Sequence, residues 1–310
     1  MISFLKKMLK INSHNKEVIC IQLSKNGLGV ILAKIAPVLH VTKCKYFQGD
    51  LKTIQNSLHA FVEQNQLQYM DCHVVLSLDD YQLMLIEKPK VIESEVRESV
   101  QWLVKDLINF PIEEAIIDFF PAPTRTGQPE KIYVVIGRLE RLNTIANLAT
   151  NAELKLKTID IAALTIRNLL AALHIVGNSA VLLIKDEENY HILVVKDRLV
   201  YLERKLVFHH QNELDEQKFE AFCNELVTEL QRSIEFYQNR EKTIPIKIFL
   251  SPSLGHNKKL VQTIETGMNL RIDVLDVNKW LSDVQDMSLD CKINCLSIIG
   301  KALGLAAPAD

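Results

Sequence analysis

The chain has 310 residues, 48% of them apolar, which is enough for a large core and two domains and excludes a disordered chain. The formal net charge is −2, with 36 basic against 38 acidic residues. No general attraction to nucleic acid follows, and any basic surface has to be local.

The first ten residues, MISFLKKMLK, are too short and too interrupted by Lys6 and Lys7 for a signal peptide. As a helix they would place Phe4, Leu5, Met8 and Leu9 on one face and Lys6, Lys7 and Lys10 to the side. That pattern is either a membrane-surface patch or a frayed tail. Residues 18–47 predict a three-stranded meander: a run at 18–23, strands at 29–35 and 38–47, and Pro37 between the last two. Lys25-Asn26-Gly27 is the first turn, since Asn-Gly tolerates the positive φ of a short hairpin. A helix follows over 51–67 and strands over 72–78 and 82–86. Between those strands, Asp79-Asp80 offers a metal or acid–base pair, but reads more simply as a turn.

Pro89 breaks the sheet, and 93–109 predicts a helix with Val96, Val100, Leu103, Val104, Leu107 and Ile108 as its apolar stripe. Trp102 lies off that line. An extended segment at 112–120, a strand at 132–136, helices at 138–151 and 161–174 and a strand at 155–159 complete the first part. The longest apolar stretch, 159–176, carries Asp160, Arg167, Asn168 and His174, so it reads as a helix in water and not as a membrane span.

Residues 179–208 repeat the plan of the opening meander, with strands at 180–184, 190–195 and 199–204 and turns at 186–189 and 197–198. Two similar halves dividing near 177 are expected: 1–177, with a small inserted subdomain at about 73–135, and 178–310. The second half continues with a helix over 216–239, a strand at 244–250, and a helix over 256–266 that Ser253 could cap. A strand at 270–275 and helices at 278–284 and 291–305 close the chain, giving an α/β class with mixed sheets.

The six cysteines are scattered without a Cys-x-x-Cys pair, the pattern of buried thiols in a reducing compartment. Phosphate-loop, dinucleotide, zincin and nucleophile-elbow motifs are all missing. His209-His210 would point to opposite faces of a strand and cannot share a metal. Glu113-Glu114 and Glu187-Glu188 read as exposed acids. No enzyme can be argued from the residues themselves.

Residues 74–120 resemble the PilM family of type IV pilus assembly proteins, through Pro89, Glu95, Phe110-Pro111, Glu113-Glu114 and Asp118. Asp160 with Ala163-Leu164, the helix residues Glu229, Arg232, Ser233 and Tyr237, and the closing Ala302-Leu303-Gly304-Leu305 extend the resemblance over nearly the whole chain. Within that family the chain most resembles the MshI branch, which serves mannose-sensitive haemagglutinin (MSHA) pili. The resemblance implies the actin-like ATPase fold, RNase H-like in its halves, with both meander turns facing a nucleotide cleft.

This chain departs from that pattern at the loops. Gln22 stands where the family has the acid that positions Mg²⁺, and Ser24 where it has a glycine. Lys185-Asp186-Glu187 replaces the second loop and Ser251-Pro252 the adenosine glycines. Without glycine the backbone cannot cradle phosphate, and two acids repel it. Gln22, Ser24, Lys185, Asp186 and Ser251 are therefore degenerate cleft positions, with ATP hydrolysis not expected and a phosphate on Lys185 the remaining way to hold a nucleotide. The resemblance implies a cytoplasmic scaffold at the inner face of the inner membrane. It would bind the cytoplasmic tail of a PilN-like or MshJ-like inner-membrane protein, and it leaves homo-oligomerisation open. Val96, Val100 and Trp102 on the insert are the expected contacts, with Trp102 alternatively packed against the first half. The competing reading is a nucleotide-dependent switch or weak ATPase in pilus assembly or type II secretion.

Overall fold

The structure, a computed structural model, describes residues 17–35, 38–173, 179–186, 189–208, 216–242, 247–281, 284 and 294–306. The basic start with Lys6, Lys7 and Lys10, Pro37, the division near 177, Glu187-Glu188, His209-His210 and Cys291 lie outside the described residues.

The opening meander is β1 (Glu17–Leu23), β2 (Gly27–Lys34) and β3 (His40–Gln48), paired antiparallel. Its first turn closes where the sequence puts it, with the Ser24 N–H and Oγ both donating to the Gly27 carbonyl. The reason for glycine differs from the expected one. Gly27 has no positive φ. A Cβ there would lie 2.6 Å from the ring of Tyr46, so the residue is small because an aromatic side chain lies on it.

α1 (Leu51–Gln64) starts at Asp50, whose carboxylate accepts from the Thr53 N–H, and buries Ile54, Leu58, Phe61 and Val62. β4 (Asp71–Leu76) then adds parallel to β1. Here the chain leaves the sheet. β5 (Tyr81–Glu87), β6 (Ala115–Pro121) and β7 (Lys131–Arg138) form a separate sheet of order β5-β7-β6, with α2 (Val96–Val104) on one face. The insert therefore begins at Tyr81 and not near 73, because 73–76 belong to β4, and 74–86 is not a hairpin.

α2 also ends at Val104, five residues before the predicted end. Phe110 precedes Pro111, a position that disfavours helix. Ile108 and Phe110 instead turn back onto the small core, with the Arg138 guanidinium 4.1 Å from the Phe110 ring centroid.

α3 (Leu139–Asn151), β8 (Lys155–Ile161) and α4 (Ala162–Ala171) return the chain to the first sheet, whose order is β3-β2-β1-β4-β8. The second meander is β9 (Ala180–Asp186), β10 (Asn189–Lys196) and β11 (Leu199–Leu206). Its described turn has Asp197 at φ 47° and Arg198 at φ 62°, the double left-handed geometry of a tight hairpin. Then follow α5 (Glu216–Glu241), β12 (Lys247–Leu250), α6 (Pro252–Gly255), α7 (Lys258–Met268), β13 (Ile272–Val274), α8 (Asn278–Leu281) and α9 (Leu296–Ala306). Asn257, and not Ser253, caps α7, its side chain accepting from the Leu260 N–H.

The second sheet has the order β11-β10-β9-β12-β13, the same plan as the first, and the two meanders lie in different sheets. Alternation along β9 explains the layering. Val181 and Leu183 face α5 and α7, while Leu182 and Ile184 join the core that continues into the first half. Across the molecule the layers run α1 and α3, first sheet, α4 and α9, second sheet, α5 and α7.

The closing residues do not stay with the second half as 178–310 implies. α8 packs on β3, and α9 packs on β1, β2 and β4 and crosses α4. The crossing is close: a Cβ at Gly300 would meet the Thr165 carbonyl at 2.0 Å. Lys301 pairs with Asp160 at 3.1 Å beside it, both side chains mostly covered.

Candidate functional site

Gln22 and Ser24 at the end of β1, and Lys185 and Asp186 at the end of β9, line one space between the halves, about 480 Å³ counted out to open solvent. Tyr46 on β3, Asn294, Leu296 and Ser297 at the start of α9, and the apolar Leu78, Ile166 and Ile184 complete the wall. Four of the five degenerate cleft positions thus come together. Ser251 is next to them but turned into the protein: its Oγ accepts from the Lys185 N–H at 3.3 Å, and its own N–H donates to the Leu183 carbonyl.

Two of this cleft's polar side chains are held by neighbours. Ser24 Oγ lies 3.2 Å from the Tyr46 hydroxyl. Lys185 shares the face of Val181 and Leu183, and its ammonium lies 5.9 Å from the Tyr190 ring centroid, on the α5 side. Asp186 shares the face of Ile184 toward the cleft, so the charge this strand turns inward is negative. The N-terminus of α4, a ready anion site in principle, has its Ala163 N–H donated to the Tyr81 hydroxyl at 3.1 Å. Burial pushes the Tyr81 phenol well up, so that hydroxyl stays neutral.

A second cluster ties the halves together. It starts from the Asp79-Asp80 turn, which turns out to be more than a turn. Asp80 accepts from the Ser77 N–H and Oγ and from Arg141 at 2.7 Å, while Arg141 also donates to the Leu23 carbonyl at the first loop. Asp79 reaches the other half, to Asn189 at 2.8 Å and to the Lys205 ammonium. It also lies 3.5 Å from Nε2 of His191, whose Nδ1 is 3.2 Å from Glu203. His191 is buried, which by itself would lower its pKa, but the Asp79 and Glu203 carboxylates outweigh this and hold it above the usual imidazole value. Burial would likewise raise Asp79, and the donors from His191, Lys205 and Asn189 bring it well below the usual carboxylate range. The Tyr133 hydroxyl, donating to the Tyr201 carbonyl at 2.8 Å, joins the insert to β11.

The insert presents the opposite kind of surface. Val96 and Val100 are fully buried with Val104 in the small core against Ile117, Ile132, Val134 and Ile136, so neither can touch a partner as expected. Trp102 is 68% exposed and does not pack on the first half; Leu103 and Leu107 are 53% and 59% exposed. Five of the sixteen exposed large apolar side chains among the described residues fall between Val91 and Leu107. Lys105 stacks on Trp102, with its ammonium 5.3 Å from the ring centroid. Glu95, Glu98 and Asp106 are exposed around this patch without an ion-pair partner among the described residues.

The motif residues behind the resemblance are mostly structural. Arg204 joins Glu229 to Ser233, Tyr237 packs edge-on against Tyr201, and Asp118 pairs with Arg97 at 3.0 Å. The sequence reading missed Tyr46 as a wall of the cleft, and Tyr81, Asp79, Asp80 and His191 as the contacts beside it. An Asp pair directly after a sheet strand was the one available signal.

Among the described residues no group of His, Cys, Asp and Glu could hold a metal ion, and no helix is long and apolar enough to cross a membrane. No protein-family profile and no curated protein matches the sequence. Solved structures do match. A chain of the PilM–PilN type IV pilus biogenesis complex is similar at 16% identity and a TM-score of 0.73, over 94% of this chain and 98% of that one. The cytoplasmic domain of EpsL, an inner-membrane component of the Vibrio cholerae type II secretion system, is similar at 13% identity and a TM-score of 0.54, over 95% and 97%. A Bacteroides thetaiotaomicron protein with the actin-like ATPase fold follows at 8% identity and 0.54, over 87% and 94%. The chain has the actin-like ATPase fold.

Proposed function

We propose that this chain is a non-enzymatic scaffold of type IV pilus biogenesis, working at the cytoplasmic face of the inner membrane. In its finer form the system is of the MSHA type, with this chain in the MshI role. The protein it holds is a PilN-like or MshJ-like inner-membrane protein, gripped by its cytoplasmic tail. The observation that carries the reading is the end-to-end likeness to a chain of the PilM–PilN complex. The cleft supports the non-enzymatic part, because its Ser24 and Tyr46 hydroxyls hold each other, its lysine is turned away and its inward charge is negative. The insert supports the binding part, since Trp102, Leu103 and Leu107 are a tryptophan-centred apolar patch ringed by acids. A disordered tail gains affinity by laying apolar side chains on a preformed surface, and cytoplasmic segments near membrane spans are enriched in Lys and Arg.

The test is a pull-down and titration with a synthetic, dye-labelled tail peptide from the pilus-operon membrane protein, read by fluorescence anisotropy of the peptide. Wild type is expected to bind and Trp102→Ala to bind at least tenfold more weakly. No binding by wild type would remove the scaffold reading, and equal binding by Trp102→Ala with Leu103→Asp would move the site elsewhere.

A further inference from the structure

We propose that Cys44 and Cys295 are a modification site: a dithiol that a peroxide converts to a disulfide, stapling the closing helix to the opening meander. The two sulfurs lie 3.3 Å apart, although the residues are 251 positions apart in the chain. Cys44 is on β3 and Cys295 immediately precedes α9; both are buried. Gly29 on β2 makes the approach possible, for a Cβ there would lie 3.1 Å from the Asn294 carbonyl and 3.6 Å from the Cys295 sulfur. A disulfide needs the sulfurs about 1.3 Å closer, within reach of side-chain rotation.

The chemistry balances with one peroxide. One thiol loses its proton, and its thiolate attacks a peroxide oxygen, breaking the O–O bond and releasing hydroxide. The sulfenic acid formed is attacked at sulfur by the second thiolate, and its oxygen leaves as water. Two thiols and one hydrogen peroxide become one disulfide and two waters.

The other described cysteines are placed differently. Cys20 and Cys72 lie on adjacent strands, Ile19 being the register partner of Cys72, and burial pushes the Cys20 thiol up to about 12 and Cys72 higher still. Cys223 is in the second half's other core.

The staple has a consequence at the cleft. Cys44 and Tyr46 are two apart on one strand and share a face, and Cys295 lies between Asn294 and Leu296, which also line the cleft. Oxidation would therefore fix two of the cleft's walls to each other. It would also close a loop containing nearly all of both halves, which constrains the unfolded chain strongly.

The test treats the full-length protein with hydrogen peroxide, with and without about 2 M urea to loosen the native state, followed by intact mass, peptide mapping and thermal unfolding. The expected result is a 44–295 linked peptide reversed by dithiothreitol, and a melting temperature higher by roughly 5 °C or more. Cys44→Ser and Cys295→Ser should each fold and show neither change. Failure to form the 44–295 link in both conditions would overturn the proposal, as would a 20–72 link or oxidation to sulfinic acid without a crosslink.

Discussion

The cleft between the halves and the outer face of the insert are built in opposite ways. In the cleft Ser24 is held by Tyr46, and beside it the start of α4 is held by Tyr81 and Asp79 by three groups of the other half. On the insert, Trp102, Leu103 and Leu107 are left mostly exposed, with Lys105 stacked on Trp102. A cleft that works on a ligand needs uncommitted polar groups, and a docking surface needs uncommitted apolar ones. The comparison teaches that, under the proposed scaffold role, the surface left for recognition is the appendage and not the middle of the fold.

The sharpest break of that comparison is within the insert. Val100→Asp should cost at least about 4 kcal/mol of local stability, because it buries an unpaired carboxylate. Hydrogen exchange should then show 81–138 losing protection while the two large sheets keep theirs. Trp102→Ala, two residues away, should change stability by no more than about 0.5 kcal/mol. If Val100→Asp left the insert folded, the division into core and docking face on α2 would be wrong.

On the cleft side, Asp79→Ala should cost about 2–3 kcal/mol, by leaving His191 and Lys205 without their carboxylate. Exchange should rise over 189–206, the face that Asp79 holds. No change there would mean that the halves are joined by their apolar core alone.

The same cluster predicts a pH dependence of opposite sign on its two groups. His191 has a raised pKa, so its contribution is complete below about pH 6.5, the unfolded value, and is lost as pH rises through the folded value. Asp79 is lowered, so its contribution is present above about pH 4 and is lost on acidification. Melting temperatures of wild type and His191→Gln should therefore differ most between about pH 4 and pH 6.5 and converge in alkali. A gap that widened with rising pH would reverse the assignment.

The smallest effect expected is at Lys185. Calorimetry with micromolar Mg-ATP should show no heat for wild type or for Lys185→Met, whose ammonium is stacked on Tyr190 and not aimed at the cleft. Turnover abolished by Lys185→Met would restore the cleft as a working site.

Much of the fold was legible because its determinants are local. Strand alternation, Asp197-Arg198 and the apolar periodicity of α1 and α5 act within a few residues. The misreadings came from contacts far along the chain. Asp79 reads as a turn until Asn189 and Lys205, 110 and 126 residues later, come into view. The α2 periodicity showed correctly that Val96 and Val100 face something apolar, but could not show that the insert has a core of its own to supply it. Gly27 looked like turn chemistry, whereas a tyrosine 19 residues away requires it.

The packing of α9 on β1, β2 and β4 also sets an order of events during synthesis. The first sheet's strands are complete once β8 has been made, yet the face that α4 covers only over β4 and β8 stays open over β1 and β2 until Leu296–Ala306 arrive. At about 5–20 residues per second, that interval is on the order of ten seconds. During it the nascent first half exposes sheet that the finished protein buries, a stretch of time in which a chaperone has something to hold.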